Sequence, residues 1–163
     1  MINRRAMLQG VLGAGAAGGA LLADMNNTAQ AQDATPIAVG SALPMSGFAA
    51  ADGIEFKNGL ELAAEEINAA GGILGRPIEL HIEDTKEMGA DLVTQSMQRL
   101  IDRYNTPVLI NGYNLGTNMA EMDVAADNDI IMMHYNTLIS HNEKFKTDPE
   151  RYYGSFQGDP PEY

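Results

Sequence analysis

Three short polar runs carry the side chains in this sequence that are able to do chemistry. They are Pro44-Met45-Ser46-Gly47-Phe48, Asn111-Gly112-Tyr113-Asn114-Leu115-Gly116-Thr117 and His134-Tyr135-Asn136-Thr137. In the first, the Ser46 hydroxyl and the amides beside Gly47 can hold a polar ligand group at a helix start, although plain turn chemistry explains the run equally well. In the second, two glycines let backbone approach a ligand, and the amides opening the following helix can donate to a carboxylate or carbonyl. Asn114 has an alternative role in satisfying its own turn. In the third, an aromatic ring, an amide and a hydroxyl follow a buried strand. That mixture of donors, acceptors and apolar wall suits an amide or amino-acid ligand.

Other chemistries lack their residues. There is no nucleophile elbow, phosphate loop or nucleophile–base pair, so the reading is a binding protein, not an enzyme, with no cofactor. Cysteine is absent, which removes disulfides, thiolate metal sites and cysteine nucleophiles. His134 and His141 stand seven apart without zinc-type spacing, and no metal site is expected. His81 alternates toward the wetter face of its strand, which predicts a solvated ring. Glu83-Asp84 end that strand and read as loop acids, since no phosphate loop follows the first strand. Gly13-Ala14-Gly15-Ala16-Ala17-Gly18 matches a dinucleotide-binding pattern but lacks a preceding strand and a βαβ unit.

The formal charge is −12, and the acidic balance argues against nucleic acid or anionic lipid as partner. A basic pair, Arg4-Arg5, precedes a Gly/Ala-rich apolar run from Met7 to Ala23 and a small-x-small site at Ala29-Gln30-Ala31. Residues 1–31 therefore read as an export signal. The adjacent arginines point to the twin-arginine route, with an ordinary secretory signal as the alternative. Residues 32–163 form the remaining lobe.

From Pro36 onward strands and helices alternate, as in a doubly wound parallel α/β sheet. Strand one, Ile37 to Leu43, is apolar on both faces and predicts a central position. Helix one places Phe56, Leu60, Ala63 and Ile67 on one face and stops at Gly71-Gly72. Strand two, Ile78 to Ile82, alternates and predicts an edge. Helix two, about Ala90 to Tyr104, buries Val93, Met97, Leu100 and Tyr104. Strand three spans Pro107 to Ile110. Helix three, from about Thr117, aligns Met119, Met122 and Ala126. Strand four spans Ile130 to Met133, and a fifth strand lies near Tyr152 to Phe156. Right-handed crossovers then favour the order 2-1-3-4-5, which brings the loops after strands one, three and four to one crevice.

The wording of these segments resembles the N-terminal lobe of type I solute-binding proteins of ABC importers, nearest those receiving short amides, urea or branched-chain amino acids. The resembling runs are PMSG, GLELAAEEINAAGGILGRPIEL, EDT, NGYNLGT, and HYNT followed by DPERYYGSFQGDP. The resemblance implies a periplasmic receptor of two lobes that closes over a small molecule and delivers it to a permease in the inner membrane. An amide-sensing receptor or regulator built on the same lobe is the alternative. Carried onto this chain, it implies ligand contacts at Ser46, Phe48, Asn114, Leu115, Tyr135 and Thr137, those at Asn114 and Leu115 largely through backbone amides. Asn-Leu-Gly after strand three, where many amino-acid receptors have small hydroxyl residues, tilts the expectation toward amides or urea. Relatives run more than twice this length, so the expectation is a truncated form with the second lobe absent.

Overall fold

The structure, a computed structural model, describes residues 35–86, 89–135 and 138–158. The expected export signal lies outside the described residues. β1 (Ile37–Leu43) is buried over its last five residues and has a strand on either side. A run apolar on both faces requires that position.

α1 (Ala50–Ala69) follows and ends where Gly71 and Gly72 take positive φ angles of 103° and 74°. The next residues make a two-residue hairpin. Ile73 and Arg76 exchange backbone hydrogen bonds of 2.8 and 3.0 Å across Leu74 and Gly75, which both have positive φ. Two left-handed central residues define a type I′ turn. Arg76 then ties the hairpin to the entry of β1, its Nε donating to Thr35 O at 2.8 Å. The Asn68 side chain pairs with the backbone of Ile78 as both donor and acceptor, at 2.9 and 2.7 Å. The GGILGRP run is thus a latch that sets where β2 (Ile78–Asp84) begins.

α2 (Ala90–Tyr104) buries Val93, Ser96, Met97 and Leu100 and ends on Asn105 in the left-handed conformation. Tyr104 is only half-buried, and it stacks on His81 with ring centroids 3.8 Å apart. The expected solvated His81 is corrected by this contact: helix α2 covers the wetter face of the edge strand. β3 (Val108–Asn111), α3 (Asn118–Asp127), β4 (Ile131–His134), α4 (Ile139–Thr147) and β5 (Ser155–Gln157) complete the series. The strands pair in parallel in the order β2-β1-β3-β4-β5, as anticipated.

Helices lie on both faces of this sheet. Leu60, Ala63 and Ile67 of α1 share one face with Val39, Leu80, Val108 and Ile110. The alternate strand residues Ala42, Leu109 and Met132 form the core of the other face with Val93, Met97, Leu100, Met122 and Ala125. No helix among the described residues is long and apolar enough to cross a membrane.

Two helical expectations change. In α3 the buried face is Asn118, Glu121, Met122 and Ala125, while Met119 is 46% exposed. The helix is rotated by one residue from the apolar stripe because buried polar partners hold Asn118 and Glu121 inward. α4 was not expected at all; its sequence is polar, and only His141 among its residues is fully buried.

Candidate ligand-binding site

In a parallel sheet the loops after β1, β3 and β4 leave from the same edge, and in this chain the end of β2 braces the first of them. Asp84 accepts hydrogen bonds from Met45 N at 2.9 Å, Lys86 N at 2.8 Å and the Ser46 hydroxyl at 2.8 Å. Burial pushes the Asp84 carboxyl up, but these donors together outweigh it and hold its pKa below the usual value. The Ser46 proton is therefore committed to Asp84, which leaves its oxygen as an acceptor. Phe48 stands 82% exposed on the same loop. The loop rests directly on α1, where an added Cβ at Gly53 would lie 2.1 Å from the Pro44 carbonyl oxygen.

The loop after β3 is braced from inside. Asn114 is fully buried; its Nδ2 donates to Ala42 O at 2.8 Å, and its Oδ1 accepts from Thr85 Oγ1 at 3.0 Å. One amide side chain thus ties the loops following β2 and β3 to the end of β1. That amide is committed within the protein, which leaves the backbone as the part of Asn114 open to a ligand. Leu115 is 59% exposed, and its N–H donates to Tyr113 O at 3.0 Å.

Beneath these loops lies a closed polar cluster. Glu121 is fully buried, with Asn111 Nδ2 donating to Oε2 at 2.7 Å. Its Oε1 lies 2.7 Å from Thr117 Oγ1 and 3.3 Å from His134 Nε2. The Thr117 hydroxyl is also 2.9 Å from Asn114 O, so its single proton serves one of the two acceptors at a time. Asn111 passes the constraint on: its Oδ1 accepts from Ala42 N and its carbonyl from Tyr135 N, both at 2.9 Å. The loops after β3 and β4 are therefore held to each other and to β1 by one carboxylate.

His141 flanks this cluster, its ring centroid 6.3 Å from that of His134. Burial, with the neighbouring His134 ring second, lowers the His141 pKa below the ordinary histidine value; the Ser155 backbone and Glu121 act the other way. Its Nδ1 has no hydrogen-bond partner among the described residues. The unfolded chain binds this proton more readily than the folded one, so stability falls on acidification from about pH 6.5 downward. Urea unfolding at pH 7.5 and 5.5 should show a loss of stability on acidification that is smaller in His141→Asn; an equal loss in both proteins would remove His141 from the account.

Between α1 and the ends of β3 and β4 opens a cleft of about 520 Å³, lined by Glu55, Phe56, Leu60, Ile110, Tyr113 and Tyr135 among others. Phe56 meets Tyr113 edge-on with centroids 6.0 Å apart and an interplanar angle of 81°, and it meets Tyr135 at 5.6 Å and 61°. Of the six expected contact residues, Tyr135 lines this cleft. Ser46, Phe48 and Leu115 stand exposed on the neighbouring loops, Asn114 points inward, and Thr137 lies outside the described residues. Phe56 and Tyr113 were not expected. The signal for Phe56 was its place on the inward face of helix one, two turns from the loop edge of the sheet; Tyr113 gave no signal beyond its loop.

Residues 36–158 match the family model described as periplasmic binding protein. Among curated relatives, Leu/Ile/Val-binding protein homolog 8 of Brucella suis is 32% identical over 108 residues, covering 66% of this chain and 26% of that protein. Leu/Ile/Val-binding protein BraC3 of Rhizobium johnstonii is 30% identical over 97 residues, 60% of this chain and 26% of BraC3. A Silicibacter pomeroyi crystal structure, provisionally assigned as a branched-chain amino acid ABC transporter, is 57% identical with a TM-score of 0.75, covering 77% of this chain and 32% of that one. The substrate-binding protein LivJ of Streptococcus pneumoniae, solved with isoleucine, is 23% identical with a TM-score of 0.66 over 77% of this chain and 34% of its own, a likeness of fold. The chain thus spans about a quarter of the curated relatives it matches. Its parallel sheet, strand order and matched residues agree: the chain belongs to the periplasmic binding protein family, a family of binding proteins and not enzymes, and corresponds to the N-terminal portion of the type I fold.

Proposed function

We propose that this chain supplies one wall of the ligand cleft in the extracytoplasmic substrate-binding component of an ABC importer. A second lobe would form the opposite wall, and closure would bury a small amino acid or amide for delivery to an inner-membrane permease. Residues 1–31 would direct export by the twin-arginine route, leaving residues 32–163 as the binding lobe. The observation that carries this reading is the cross-bracing of the loops after β1, β3 and β4 by Asp84, Asn114 and Glu121. Bracing of this kind fixes a recognition surface before a ligand arrives, which reduces the entropy lost on binding.

The names of the relatives favour a branched-chain amino acid over urea or a simple amide among the ligands considered. Against one wall alone a ligand stays half in water, so affinity should be weak, on the order of millimolar. Calorimetry on residues 32–163 with leucine, isoleucine, acetamide and urea should give saturable heat for at least one of them, reduced severalfold or more by Tyr135→Ala. Absence of saturable heat for all four would overturn the reading.

A further inference from the structure

We propose that protonation of His141 loosens the loop after β4, so that this lobe gives up its ligand as its surroundings turn acidic. The proposal rests on the binding-lobe reading above and adds a regulation to it.

That loop is fastened by a buried histidine at each end. His134 closes β4 and His141 lies in the first turn of α4, with ring centroids 6.3 Å apart. The first fastening runs through Glu121. Its Oε1 lies 3.3 Å from His134 Nε2, its Oε2 accepts from Asn111 Nδ2 at 2.7 Å, and the Asn111 carbonyl accepts from Tyr135 N at 2.9 Å. The second is the start of α4, where His141 N donates to Leu138 O at 3.1 Å. Asn118 of α3 adds a tie there, its Nδ2 donating to Ser140 Oγ at 3.1 Å. A change of charge at His141 therefore acts on the segment that carries Tyr135, a wall of the cleft.

The groups around His141 make its protonation costly. α3 presents Glu121, and β4 presents His134. Lys144, one turn further along α4, is paired with Asp123 of α3 at 2.6 Å. Tyr153 shares a crevice with His141, and its hydroxyl donates to Asp129. β5 presents the neutral side chains of Ser155 and Gln157. One carboxylate thus faces two imidazoles, and its hydrogen bonds already go to His134, Asn111 and Thr117. A proton on His141 has no acid of its own and sits at the positive end of the α4 dipole. Burial, and His134 after it, favour the neutral ring. The outlet is the crevice of about 250 Å³ between α4 and β5, lined by His141, Asn142, Phe145 and Gln157 among others. His141 Nδ1 and Gln157 Oε1 both have no hydrogen-bond partner among the described residues. A charged ring that turns toward the crevice gains water and a spare acceptor, and it takes the start of α4 with it.

A ligand that holds the loop in place favours neutral His141. Affinity is therefore full above about pH 6.5, the ordinary histidine value, and is lost as the pH falls below it. Leucine, isoleucine, acetamide and urea are titrated calorimetrically into residues 32–163 at pH 7.5 and 5.0. The acid step should weaken whichever of them binds by about fivefold, and by less than about twofold in His141→Asn. In the free wild-type chain, the amide resonances of Tyr135 and Leu138 should shift over the same range with the midpoint of the His141 ring protons. Equal weakening in the two proteins, or amides that ignore that midpoint, would overturn the proposal and leave the binding lobe standing. If none of the four binds at pH 7.5, the binding-lobe reading falls and takes the acid release with it.

Discussion

Glu121→Ala should lower the unfolding free energy by about 4 kcal/mol, close to the upper range for loss of one partner from a buried charged network. Glu121 is fully buried, and three side chains meet its carboxylate: Asn111 at 2.7 Å, Thr117 at 2.7 Å and His134 at 3.3 Å. Thr117 can turn to Asn114 O, 2.9 Å away, but Asn111 Nδ2 and His134 Nε2 lose their bonds to this carboxylate. The cavity left by the truncated side chain adds to this loss. Glu121→Gln keeps the shape and one acceptor and should cost about half as much. Urea unfolding followed by circular dichroism measures both. In the alanine variant the Tyr135 amide, which donates to the Asn111 carbonyl, should also exchange faster with solvent. A change in stability below about 1 kcal/mol would show that the cluster does not brace the loops, since a buried network is expected to exceed that value.

Gly53→Ala should destabilise by roughly 3 kcal/mol even though alanine is the better helix former. In α1 the intrinsic preference of a helix interior for alanine over glycine is worth about 1 kcal/mol. At position 53 it is opposed by a contact that cannot yield. The added Cβ would lie 2.1 Å from the Pro44 carbonyl oxygen and 2.7 Å from its carbon, both backbone atoms of the loop after β1. Either the helix start or the loop must move, and the Asp84 bonds to Met45 and Ser46 then stretch. Gly59, six residues on in the same helix, is the internal control, because a Cβ there meets nothing within 4 Å. Gly59→Ala should stabilise by about 0.8 kcal/mol through the same helix preference. Thermal or urea unfolding of the pair reads opposite signs; the same sign at both positions would contradict the packing described for loop one.

These two substitutions touch features that a sequence does not display. The order of the sheet was legible because central and edge strands differ in hydrophobic pattern and right-handed crossovers fix how they are joined. Ile37–Leu43 is apolar on both faces and central, whereas Ile78–Asp84 alternates and lies at the edge. α2 was legible for the same reason, since Val93, Met97 and Leu100 recur at helical spacing and all three are buried. The buried face of α3 was not, because an apolar stripe is a poor guide where a glutamate and an asparagine are the groups drawn inward. α4 was hidden by a polar sequence with one buried histidine.

The site divides along the same line. That the loops after β1, β3 and β4 leave from one edge follows from topology, and topology was readable. Which side chains face a ligand depends on packing. Asn114, read in sequence as a backbone contact or a turn residue, spends its side chain as a beam to Ala42 and Thr85, while Phe56 looks like core and forms a wall of the cleft. The acids Glu83 and Asp84 were expected at the end of the strand. Their opposed duties were not: Asp84 splints loop one, and Glu83 pairs with Arg99 at 2.9 Å.

The central claim is that the loops after β1, β3 and β4 act as one recognition surface. Mapping amide chemical shifts of ¹⁵N-labelled residues 32–163 during titration with the calorimetrically selected ligand tests it most directly. The account predicts that the largest perturbations fall together in 44–48, 112–117 and 135–138 and saturate with a single dissociation constant. Saturable shifts centred instead on the opposite edge of the sheet, around Thr35, Asn105 and Pro107, would contradict it.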